Sequence, residues 1–110
     1  MSLLRTELHQ KQASFIKHLN ELYLDFEEKS LLEQIIINMQ IIEWCIDNSN
    51  VIKATHFFYY LQNKVIILTQ EVNTRLKTCV EPSVCAALLD LEIVLNSCKE
   101  CFKFAILKNV

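Results

Sequence analysis

The chain has 110 residues and not one glycine. Ordinary usage would place about seven or eight in this length. Hairpin turns of types I′ and II′ depend on residues that accept positive φ, chiefly glycine. A sheet protein needs such turns repeatedly, and a helix needs none. The absence therefore selects an all-α fold. Pro82 is the single proline, so helix breakers are also scarce. The length suits one domain, 1–110, large enough to bury a real core. With 52% hydrophobic and 22% charged residues, the chain buries enough apolar surface to offset its ordering entropy.

Apolar residues recur at helical spacings in four segments. Leu4, Leu8, Phe15, Leu19, Leu22 and Phe26 form one stripe, which predicts a first helix over roughly 3–28. Ser30-Leu31-Leu32-Glu33 matches a capping box and predicts a second helix over 31–47. The joint between them is so short that a kinked continuous helix is the alternative. The loop DNSN, 47–50, closes helix 2. Helix 3, expected over 51–79 with Ser49 or Asn50 as cap, carries Val51, Ala54, Phe58, Leu61, Val65, Leu68, Val72 and Leu76. Pro82 stops it and suits the first turn of helix 4, 82–107, whose stripe is Val84, Leu88, Leu91, Leu95, Cys98, Phe102 and Ala105. Lys99, Lys103 and Lys108 complement the dipole at its end. Short joints and four such stripes predict an antiparallel, up-down-up-down four-helix bundle.

Helix 2 is greasier than one core requires. At about 100° per residue, Leu32, Ile35, Met39, Ile42 and Ile46 fall in one sector, while Ile37, Ile41 and Trp44 fall on a second apolar face roughly opposite. Helix 3 has a comparable second stripe in Ile52, Tyr59 and Ile66, with Ile67 nearby; Ile93 and Phe104 give helix 4 a weaker version. A bundle helix needs one stripe. Surplus apolar surface on helices 2 and 3 points to a patch covered by another protein, with Trp and Tyr as typical anchors. Ile37, Ile41, Trp44, Ile52, Tyr59 and Ile66 are the candidate interface residues. The competing account is internal packing in a splayed or irregular bundle.

Catalytic and cofactor chemistry finds little support. The net charge of −2 and the lack of a basic arm argue against nucleic acid. The uncharged run 34–42 is far short of the about twenty apolar residues that cross a bilayer, and charges fall too early for a secretion signal. The five cysteines, Cys45, Cys79, Cys85, Cys98 and Cys101, are odd in number and read as reduced thiols serving as small hydrophobes. Cys98-x-x-Cys101 is a single CxxC in mid-helix, roughly 20 Å along the helix from Cys85, so no metal site is expected. A redox CxxC belongs at a helix start, where the dipole lowers the thiol pKa. His9, His18 and His56 are scattered and read as surface residues, and no Glu-x-x-His pair serves a di-iron centre. His56 lacks the small neighbours that would admit a phosphate. Arg75 has no following histidine to form the Arg/His motif of HEPN-type ribonuclease bundles. The FFYY run, 57–60, sits beside Lys53 and Lys64, but no basic face extends from it for stacking nucleobases.

The expectation is a soluble cytoplasmic protein without catalytic, cofactor or metal residues. Its function is then binding, as a small adaptor, chaperone-like, antitoxin or immunity-type regulator, in the simplest form a homodimer. A structural subunit of a larger assembly would use the same patch. An enzyme or phosphotransfer module built on His56, or on Cys98 and Cys101, is the remaining class.

Overall fold

The computed structural model describes residues 2–21 and 24–108, and the side chains of 6–20, 24–100 and 103. The protein is a four-helix bundle of α1 (Ser2–Glu21), α2 (Phe26–Asp47), α3 (Val51–Thr78) and α4 (Pro82–Lys108), with no strand among the described residues. It measures 46 × 23 × 22 Å. The long axis fits α3, whose 28 residues span about 42 Å at 1.5 Å each.

The first joint differs from expectation. α1 ends at Glu21 rather than near 28, and α2 starts at Phe26 rather than 31. The capping box is Asp25-x-x-Glu28, not Ser30-x-x-Glu33. Asp25 is extended (φ −73°, ψ 174°). Its carboxylate accepts from the Glu28 amide at 2.8 Å, and the Asp25 amide donates to the Glu28 carboxylate at 3.0 Å. The two helices are therefore separate rather than one kinked rod. Phe26 leaves the α1 stripe and stands 86% exposed in the first turn of α2. Ser30 lies inside the helix and accepts from Gln34 Nε2. Glu28 is the better capping partner because it also reaches Arg75 of α3, at 2.5 Å. Burial raises the Glu28 carboxyl above its ordinary pKa, although the Asp25 amide and the Arg75 guanidinium both pull it down.

The second joint solves its missing glycine with serine. Asn50 N–H donates to Cys45 O and Ser49 N–H to Ile46 O, the two bonds of a Schellman motif. Ser49 takes the left-handed position, φ 57°, where glycine is the usual occupant. Asn50 then caps α3 through the Lys53 amide.

Each helix contributes its expected stripe to one core: Leu8 and Phe15; Leu32, Ile35, Met39 and Ile42; Ala54, Phe58, Leu61, Val65, Leu68 and Val72; Leu88, Leu91, Leu95 and Cys98. The α3 residues step four and three alternately, the spacing of knobs-into-holes packing. Each fully buried large apolar side chain contributes about 1.5–3 kcal/mol. Leu4, Leu22, Phe102 and Ala105 lie outside the described side chains.

Polar groups inside are matched. Asn38 and Thr69 bond to the carbonyls of Gln34 and Val65, one turn back. His18 is a correction to the surface reading of the histidines. It lies three residues after Phe15, on the same side of α1, and is buried with its Nε2 2.7 Å from Asp90 Oδ2 of α4. His9 and His56 are exposed; His9 pairs with Glu43.

α1 and α3 each pack on α2 and α4, and the diagonal pairs do not approach closely among the described residues. His9 near the start of α1 meets Glu43 near the end of α2. Glu28 at the start of α2 meets Arg75 at the end of α3, and His18 late in α1 meets Asp90 early in α4. These are the ends that an up-down-up-down order brings together.

Candidate protein-binding surface

The second apolar faces reach the outside unevenly. Ile37 is 54% exposed, Trp44 58%, Ile52 87% and Tyr59 52%. Ile41 and Ile66 are half-buried, and Ile41 packs against the core. On α2, Phe26, Ile37 and Trp44 lie within about 20° of one another, directly opposite the buried sector. Internal packing therefore does not account for Ile37, Trp44, Ile52 or Tyr59.

The six candidates do not share one seam. Arg75 marks the flank of α3 that meets α2. At about 100° per residue, Ile52, Tyr59 and Ile66 lie roughly 160° around from Arg75, on the flank toward α4. The α3 residues on the α2 side are instead Tyr60, Lys64 and Ile67. Tyr60 is 56% exposed, and the Lys64 ammonium lies 5.8 Å from the centroid of its ring. That distance falls within cation–π range, an attraction of about 0.5–1 kcal/mol at an exposed site. Ile67 is also exposed. One outer surface thus combines Ile37, Ile41 and Trp44 of α2 with Tyr60 and Ile67 of α3. A second combines Ile52, Tyr59 and Ile66 with Leu89 of α4, which is exposed and lies about 100° around from Asp90, the residue that faces α1.

Tyr60 and Ile67 are visible in the sequence as apolar residues off the core stripe. Their grouping with α2 follows only once Arg75 is placed.

The other chemical candidates stay apart. Among the described residues, no group of three or more His, Cys, Asp or Glu is placed to hold a metal ion. Cys45 and Cys98 have no exposed surface; the Cys101 and Phe104 side chains lie outside the described set. His56 stands exposed, with its ring edge-on to Phe57 at 6.2 Å between centroids. A shallow depression on the first turns of α2 is lined by Phe26, Lys29, Ser30 and Glu33, all from one helix, so no second element walls it in. Among the described residues, no helix is long and apolar enough to cross a membrane.

The chain matches no protein-family model, no curated protein and no solved structure.

Proposed function

We propose that this bundle is a non-catalytic protein-binding module, a cytoplasmic adaptor or regulator that covers its α2–α3 outer surface with another protein. The simplest partner is a second copy related by a twofold axis, since most homo-oligomers close that way. The observation that carries this reading is the outward placement of Ile37 and Trp44 on one face of α2, both more than half exposed, on the side of Tyr60 and Ile67. Large apolar and aromatic side chains clustered on a soluble surface are the usual centre of an interface. The long face of the bundle, 46 by 23 Å, also exceeds the about 800 Å² that one partner contributes to a standard interface.

Size-exclusion chromatography with light scattering tests it. The wild-type protein at micromolar concentration is expected at twice the chain mass. The double variant Ile37→Glu, Trp44→Glu is expected as a monomer with unchanged helical circular dichroism. A wild-type monomer overturns self-association, and a variant that stays dimeric moves the interface away from α2.

A further inference from the structure

Two thiols meet at the joint between α3 and α4. Cys79 is the C-cap of α3, with extended backbone (φ −73°, ψ 129°) and its N–H on Leu76 O. Cys85 lies in the first turn of α4, its N–H bonded to Glu81 O at 2.9 Å. The chain turns between them at Pro82. The neighbouring Cys79 thiol, and desolvation after it, raises the Cys85 thiol pKa. The Cys79 sulfur also lies 3.6 Å from Glu81 O. Both cysteines are half-buried and neither is in a disulfide. Cys45 and Cys98, by contrast, are sealed in the core.

Proximity and access therefore coincide at one pair. A disulfide needs a sulfur–sulfur distance of about 2 Å and Cβ atoms roughly 3.5–4.5 Å apart, and the turn at Pro82 already brings the Cys79 sulfur and the Cys85 N–H to one oxygen, the Glu81 carbonyl. Reagents in solution reach half-buried sulfur and not fully buried sulfur.

We propose that Cys79 and Cys85 form a reversible dithiol site, oxidised by a small-molecule disulfide to an intramolecular disulfide that closes the loop 79–85. In the first step the Cys79 thiolate attacks one sulfur of the oxidant. A protein–small-molecule mixed disulfide forms, and the second oxidant sulfur leaves as a thiolate that takes up the proton Cys79 lost. In the second step the Cys85 thiolate attacks the Cys79 sulfur and expels the remaining small thiolate, which takes up the Cys85 proton. Two protein thiols are oxidised, and one small disulfide is reduced to two small thiols. The closed loop ties the C-cap of α3, four residues beyond Arg75, to the first turn of α4. It is independent of the apolar surface on α2.

Oxidised glutathione is the probe. The folded full-length chain is incubated with it, then alkylated in denaturant and digested with trypsin. The peptide 78–99 contains Cys79, Cys85 and Cys98. The expected product has lost two hydrogens, carries one alkyl group on Cys98 and gives no tandem-spectrum fragment from bonds between 79 and 85. Dithiothreitol restores three alkylations. Ring closure is expected about tenfold or more faster in the folded chain than in guanidinium, because the fold holds the sulfurs together. In Cys85→Ser, glutathione is expected to remain on Cys79. Three alkylated cysteines in the oxidised wild type, a lasting glutathione adduct there, a bond to Cys98, or equal rates folded and unfolded would each overturn the site.

Discussion

Arg75 Nη1 donates to Glu28 Oε1 across 2.5 Å, and this contact joins the last turn of α3 to the first turn of α2. The Glu28 side chain is 2% exposed and the Arg75 side chain 32%. Removing the cation strands a buried charge, which costs more than the pair itself contributes. Arg75→Met, which keeps the apolar stem, is expected to lose about 2–3 kcal/mol in urea denaturation. The figure lies below the about 3–5 kcal/mol usual for a fully buried pair because Arg75 keeps a third of its side chain in water. A loss below about 1 kcal/mol would mean that the pair behaves as a surface bridge.

Glu28 also sets a pH dependence. Its pKa is raised in the folded chain, chiefly by burial, so the native state binds the proton more tightly than the unfolded state. The associated stability is fully present below the ordinary glutamate pKa and is lost as pH rises through the folded value. Against Glu28→Gln, the wild type is expected to gain relative stability on acidification through the window just above the ordinary value of 4.5, with no further gain below it. Denaturation series at several pH values measure the difference. An opposite slope would place the folded pKa below the ordinary one.

The position of the first joint is tested by two alanines. Asp25→Ala removes the cap that accepts from Glu28 N–H and is expected to cost about 1 kcal/mol. Ser30→Ala removes a hydroxyl that only accepts from the Gln34 side chain inside α2, and is expected to stay within about 0.5 kcal/mol. The reverse ranking would restore the later helix start.

Ile37 and Ile41 are one turn apart, yet only Ile41 packs against the core. Ile37→Glu is expected to leave the fold's stability within about 0.5 kcal/mol when monomeric and dimeric contributions are separated by dilution. Ile41→Glu, which drives a carboxylate against apolar packing, is expected to cost about 2 kcal/mol or more. Thermal melts at several concentrations distinguish the two. Equal effects would mean that both residues are core or both are surface.

Much of the architecture is legible in the residues. The spans expected for helices 3 and 4 fall within one residue of those observed, because Asn50 and Pro82 punctuate unbroken stripes. The start of helix 2 is missed because Asp25-x-x-Glu28 and Ser30-x-x-Glu33 are competing signals of one kind. Arg75, 47 residues beyond Glu28, decides between them, and no local pattern contains that partner. His18 is missed because a histidine in a core-facing sector needs a distant acceptor, and Asp90 is 72 residues away. For the surface, periodicity separates inward from outward faces. It does not separate the flank of α3 beside α2 from the flank beside α4, so Tyr59 is grouped with Trp44 where Tyr60 belongs.

Four oily stripes are equally content in either of two circuits around a common axis, clockwise or anticlockwise. Reversing the circuit would turn Tyr59 toward α2, carry Arg75 to the far side and leave buried Glu28 without its cation; His18 would likewise lose Asp90. Burial of leucine and isoleucine is blind to that choice. The few off-centre polar pairs make the mirror-related arrangement costly, so they select one winding sense where the core alone leaves two nearly degenerate.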